Sequence, residues 1–172
     1  MADREFWSRT RSFGLRIPAK EIEAMVRNCK KAKRDETGGV LAGSYSDDHK
    51  CACVTSISDA PPDSKASGSW FRRGIQGLQK WIDKLWRSKS YYLGEWHFHP
   101  FAPPTPSGTD ITEMKSISTT DSYKCPEPLL VILGGNPAGA WQIRAFVFLK
   151  GQGFLELFEV PSQVTTSWSL TP

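Results

Sequence analysis

The chain has 172 residues, 39% of them hydrophobic and 23% charged, with a formal net charge of +4 and a pI near 8.9. That is enough apolar material for a real core and a length suited to one domain, so a disordered or fibrous chain is excluded and a single domain over residues 1–172 is expected. The charge is only mildly basic and does not call for nucleic acid, and no apolar run approaches the roughly 20 residues of a membrane span.

Residues 1–14 mix polar and aromatic side chains without a clear period, and lack the apolar stretch of a signal peptide. The expected compartment is the cytoplasm. Residues 15–18 read as a short edge strand. Ile22, Met25, Val26 and Cys29 then recur at helical spacing, and Pro18 suits a helix start, so a helix is predicted to about Arg34. The basic cluster Lys30, Lys31, Lys33 and Arg34 reads as its solvated C-terminal end, where cations suit the helix dipole. Residues 35–39 break the helix. Residues 40–45 form a buried strand, and the turn at 46–49 pairs it with a strand at 51–58.

The Pro- and Ser-rich stretch 59–68 reads as a loop. Residues 73–88 give the clearest helix, with Ile75, Leu78, Trp81, Ile82, Leu85 and Trp86 on one face, expected to meet the core. A strand follows at 91–98, then a rigid loop at 100–106 with four prolines, then a short helix opened by Ser107 and carrying Ile111 and Met114. Strands at 129–133, 141–149 and 154–160 complete the pattern, and the tail from Pro161 is polar. Helices and strands interleave without a strict βαβ alternation, which suggests one mixed sheet with helices packed on it. The cysteines Cys29, Cys51, Cys53 and Cys125 contain no C-x-x-C and argue against a disulfide framework.

The chemistry concentrates in residues 95–110. Strand alternation points His97 and His99 the same way, and Trp96 and Phe98 the other way, toward the core. Two imidazoles from one strand face are candidate metal ligands. Asp110 can serve as a third, leaving a metal position open for water. It has a competing explanation. Ser107-Gly108-Thr109-Asp110 has the form of a capping box, in which hydroxyl and acid satisfy helix N–H groups. The two roles are partly compatible. A hydrolytic site also needs a proton acceptor beside the water. Glu95, two residues before His97, shares the histidines' face. Glu36 is distant in sequence but stands at the mouth of a buried strand. Spacing alone does not choose between them.

The chain resembles the JAMM (JAB1/MPN/Mov34) zinc metalloproteases, whose signature is a distant Glu, then H-x-H-P, about six residues, and S-x-x-D. Here these are Glu36, then His97-Phe98-His99-Pro100, then Ser107-Gly108-Thr109-Asp110. The surroundings of Glu36, Glu36-Thr37-Gly38-Gly39-Val40-Leu41-Ala42-Gly43, are also similar to the family, and the intervening segment, including residues 67–72, fits as well. The resemblance covers about residues 15–160. It implies a cytidine-deaminase-like α/β/α sandwich with a mixed curved sheet. It implies Zn2+ on His97, His99 and Asp110, with Glu36 as general base and Ser107 stabilising the oxyanion. Glu95 would then be a supporting residue.

The implied reaction is hydrolysis after the C-terminal glycine of a ubiquitin-like protein. Gly94-Glu95-Trp96-His97 is similar to bacterial JAB peptidases of operons carrying ubiquitin-pathway enzymes. Among these are CBASS anti-phage operons, where the target is a nucleotidyltransferase conjugated through its C-terminus, and Bil-type operons. The partners implied are such a nucleotidyltransferase or ubiquitin-like protein with a Gly-type tail, together with E1- or E2-like enzymes; neither membrane nor nucleic acid is expected. Processing of a sulfur-carrier protein is the same chemistry on another substrate. A RadC-like role in DNA metabolism shares the H-x-H-P and S-x-x-D motifs, but RadC-like chains lack the segment 36–43.

Overall fold

The computed structural model describes residues 1–161. The strands are β1 (Arg4–Trp7), β2 (Gly14–Ile17), β3 (Thr37–Tyr45), β4 (Cys51–Ile57), β5 (Lys65–Ser67), β6 (Trp70–Arg72), β7 (Tyr91–Pro100), β8 (Leu129–Gly135), β9 (Trp141–Leu149) and β10 (Gly153–Val160). The helices are α1 (Ala19–Ala32), α2 (Leu78–Trp86) and α3 (Gly108–Thr119), with a short 3-10 turn at Asp121–Tyr123. Eight strands form one mixed sheet in the order β1-β10-β9-β8-β7-β3-β4-β2, and β1 closes it by pairing with both β10 and β2. β7–β8 and β2–β4 are parallel and the other pairs antiparallel.

β8 explains how the layers stack. Its run of apolar residues has no polar alternation, the mark of a strand buried on both faces. Leu129, Val131 and Leu133 pack in one cluster with Ile22, Met25, Val26 and Cys29 of α1. Leu130 and Ile132 pack on the other face with Met114 and Ile117 of α3 and with Phe146 and Phe148. The sheet thus carries a helix on each face, as an α/β/α arrangement requires.

β7 carries the histidines, and its register is set by its other face. Trp96 and Phe98 lie in the α1-side cluster, 0% and 1% exposed, and the Trp96 indole N–H donates to the Ser58 carbonyl at 3.0 Å. Burying an aromatic of about 150–250 Å² contributes about 4–6 kcal/mol at about 25 cal/mol/Å². A one-residue slip would expose both rings and bury the imidazoles in apolar core, so the orientation of His97 and His99 follows from Trp96 and Phe98.

The alternation is broken once, at Gly94. The β3–β7 register shifts between Leu41 and Ala42, which pair with Gly94 and Tyr92. Gly94 adopts φ 148° against the backbone of Leu129, where a side chain would collide. The irregularity brings Tyr92 and Glu95 to the same face.

The structure corrects the sequence reading at four places. β1 forms within a stretch that shows no period; Phe6 is the one buried residue of β1, and it closes the sheet. β3 begins at Thr37 rather than at 40, because Gly38 and Gly39 lie in the strand where backbone of β7 and Ser58 approaches closely. The predicted loop at 59–68 contains β5, which pairs with β6 in a separate two-stranded hairpin. The predicted helix at 73–88 is trimmed to α2. Asp63 accepts hydrogen bonds from the backbone N–H groups of Ile75 (3.0 Å) and Gln76 (2.9 Å), and Ser64 Oγ accepts from Gly74 (2.9 Å), so residues 74–76 are held as a loop. Only Leu78 of α2 is buried; Ile75 and Trp86 are 75% and 54% exposed, so the predicted core face is largely a surface. The four cysteines are free thiols, and no helix among the described residues is long and apolar enough to cross a membrane. The polar tail predicted from Pro161 falls, beyond that residue, outside the described residues.

Candidate metal centre

α3 starts directly after the Pro-rich loop that leaves β7. Ser107 caps it. Ser107 Oγ accepts from the Asp110 N–H at 3.1 Å, and Asp110 Oδ2 accepts from the Ser107 N–H at 2.7 Å. The capping box foreseen in the sequence is therefore real, and it does not compete with a metal role. Asp110 Oδ1 lies 2.7 Å from His97 Nδ1, and Oδ2 lies 3.6 Å from His99 Nε2. The cap holds the carboxylate rigidly against both imidazoles.

His97, His99 and Asp110 are all buried, and one donor atom from each lies within 4.8 Å of the others; theirs is the one such group among the described residues. Two imidazole nitrogens and a carboxylate oxygen at that spacing match a small divalent ion with bonds of about 2.0–2.2 Å. The donor set fits a metal, and three protein ligands leave room for water or substrate.

Glu36 precedes β3. Gly38, two residues on, pairs with His97 across the β3–β7 ladder. A Cβ on Gly38 would come within 2.9 Å of the His97 ring and of Phe71. Position 38 therefore faces the imidazole, and strand periodicity puts Glu36 on the same side. Its carboxyl is pushed up to about 7, by burial first and by the negative charge of Asp110 second, with His97 opposing. Glu36 and the three donors thus share one electrostatic environment.

Glu95, the other candidate base, is differently engaged. Its carboxylate is 4% exposed. It pairs with Arg73, whose Nη2 lies 2.8 Å from Oε1 and whose Nε is 3.0 Å from both oxygens. Tyr92 donates to Oε1 at 3.3 Å. Burial alone would raise its pKa, but the proximity of His97 and the charge and hydrogen bonds of Arg73 outweigh that and lower it. A carboxylate so held makes a poor proton shuttle. Arg73 and Tyr92 were not singled out from the sequence. The one available signal was Gly94, an isolated glycine inside a strand pattern, which marks a bulge.

The imidazoles differ too. Burial would lower the His97 pKa, but the hydrogen bond to Asp110 and the negative charges of Asp110 and Glu95 raise it to about 9. Burial lowers His99, against the charge of Asp110. Burial would raise Asp110, yet the bond to His97 brings it down to about 2. Phe71 of β6 packs edge-on against the His97 ring at 5.6 Å.

Fold and site together define a mixed α/β metalloprotein with a buried His-His-Asp centre at the end of a sheet strand. Residues 18–146 match the model of the Prok-JAB family, described as prokaryotic homologs of the JAB domain. The chain belongs to this family and is a JAMM-type metallopeptidase. It is 42% identical over 158 residues to a CD-NTase/cGAS isopeptidase of Enterobacter hormaechei, covering 92% of this chain and 88% of that protein. It is 29% identical over 135 residues to a probable metalloprotease of Sinorhizobium fredii, covering 76% and 81%. Among solved structures, protein DSY2949 of Desulfitobacterium hafniense superposes with a TM-score of 0.59 at 20% identity, covering 80% of this chain and 86% of that one, a likeness of fold.

Proposed function

We propose that this chain is a zinc-dependent isopeptidase of a bacterial anti-phage conjugation system, and that it cleaves after the C-terminal glycine-type residue of a conjugated nucleotidyltransferase. The observation that carries the reading is the convergence of His97, His99 and Asp110 within 4.8 Å, with Glu36 sharing their electrostatic environment. The Enterobacter hormaechei relative, named for CD-NTase/cGAS isopeptidase activity, supports the substrate class.

His97, His99 and Asp110 would hold the zinc, which would supply polarisation of the scissile carbonyl and a lowering of the pKa of water to about 7. The rest falls to this chain's own groups. Glu36 accepts a proton from the attacking water oxygen and delivers it to the leaving amine nitrogen, a task suited to a carboxyl raised to about 7. Ser107 Oγ uses a lone pair for the helix cap, so its hydroxyl proton can donate to the carbonyl oxygen as negative charge develops there.

The test uses purified protein and a nucleotidyltransferase carrying an amide-linked group on its C-terminus. The protein should hold about one zinc per chain, and Glu36→Ala should keep the metal while cleavage falls by about 10²–10⁴-fold. Undiminished cleavage by that variant overturns the assignment. Cleavage of a ubiquitin-like fusion alone, with the nucleotidyltransferase conjugate untouched, overturns the substrate class.

A further inference from the structure

The Arg73–Glu95 pair sits behind the donor cluster and touches it at one point. Glu95 Oε2 faces His97 Nε2 at 3.8 Å, while His97 Nδ1 faces Asp110 Oδ1 at 2.7 Å. The imidazole thus lies between two carboxylates, with a different nitrogen toward each. At 3.8 Å the Glu95 contact is too long for a hydrogen bond and acts through charge. A fixed negative charge at Nε2 favours the tautomer with its proton there and leaves the Nδ1 lone pair for a metal.

Glu95 cannot turn away from this position. Its oxygens are clamped by the Arg73 guanidinium at 2.8–3.0 Å and by the Tyr92 hydroxyl at 3.3 Å. Arg73 is itself fixed, its Nη1 donating to the Gly74 carbonyl at 3.1 Å. The clamp needs the bulge at Gly94, since in a regular strand Tyr92 and Glu95 would face opposite ways. We propose that Glu95, clamped by Arg73 and Tyr92, is a positioning residue that holds the His97 imidazole with Nδ1 presented to the metal donors. The inference rests on the metal reading of the previous section and names the device that orients one of its ligands.

The experiment titrates the metal-free full chain with Zn2+ against a chromophoric chelator and with Co2+ by its visible absorption. Glu95→Gln/Arg73→Met removes both buried charges together, so neither is left unpaired. This double variant should retain a cooperative melt, bind Zn2+ about 10–100-fold more weakly and show an altered Co2+ spectrum. A folded double variant with the wild-type Zn2+ affinity and Co2+ spectrum overturns the inference. If the double variant does not fold, Glu95→Asp decides: it keeps the charge and withdraws it from His97, and unchanged Zn2+ affinity there is equally fatal. The two readings fail separately. A wild-type chain that binds no Zn2+ removes the metal centre itself, whereas a wild type that binds it as tightly as both variants removes only the role of Glu95.

Discussion

Asp110 points its two carboxylate oxygens at different neighbours, one to the His97 ring and one shared between the helix cap and the His99 side. Ser107 caps the helix, and the proposed donation to the oxyanion can be separated from that role by substitution. Ser107→Ala removes the cap acceptor and should cost about 1 kcal/mol of stability, with cleavage down by about 10²–10³-fold. Ser107→Asp keeps a cap acceptor but has no proton to donate. Its melting temperature should recover toward wild type while cleavage stays low. Recovery of both would assign Ser107 to the cap alone. The His97–Asp110 pair also makes the chelator-stripped protein sensitive to pH. His97 is raised from 6.5 to about 9 in the fold, so its contribution is complete below about 6.5 and fades as pH rises through about 9. Asp110 is lowered from 3.8 to about 2, so its contribution is complete above about 4 and fades as pH falls through about 2. The stripped protein should melt highest between those limits and less well toward pH 9. Metal binding must displace the His97 proton, so Zn2+ affinity should rise over that same alkaline range. A melting temperature flat from pH 6 to 9 contradicts the pairing.

Among the elements, β7 and α3 supply the donors while β3 pairs with β7 beside them, and glycine at 38 makes that approach possible. Gly38→Ala would press a methyl group against the His97 ring and Phe71. It should destabilise by about 1–3 kcal/mol and weaken Zn2+ binding, both read from one thermal melt series with and without metal. Unaltered stability and affinity would show that β3 yields there. The same glycines account for a misread boundary, since Gly38 and Gly39 look like a helix-to-strand break in the sequence but serve as strand residues without side chains. α2 errs the other way. Its stripe of Leu78, Trp81, Ile82, Leu85 and Trp86 has the helical period that predicts core, but periodicity reports only that one face is apolar. The tether of residues 74–76 to Asp63 and Ser64 sets where the helix begins, and α2 lies against β7, with Trp86 edge-on to Tyr91, so that only Leu78 is buried.

Across the whole molecule, closure of the sheet depends on a four-residue strand far from the metal centre. β1 bridges β10 and β2, and Phe6 is 1% exposed in the core cluster that also holds α1. Phe6→Ala should cost about 3–5 kcal/mol, measured by denaturant unfolding. A loss below about 1 kcal/mol would mean that the remaining seven strands stand without the closure. No period in residues 1–14 announces β1, because one inward side chain is too short a pattern to detect.

The H-x-H-P and S-x-x-D residues, the faces of Trp96 and Phe98 and the cap at Ser107 were legible in the sequence, because strand alternation and capping are local geometry. The choice between Glu36 and Glu95 was not local. Tertiary structure decided how Glu95 is engaged, by bringing Arg73 from beyond the β5–β6 hairpin and Tyr92 across a bulge onto its carboxylate. The β3–β7 pairing, between segments some 60 residues apart, also brings Glu36 within the electrostatic influence of Asp110 and His97. A buried charge takes its partners from whatever the fold packs around it, and that packing is a property of the closed sheet rather than of any one stretch of chain.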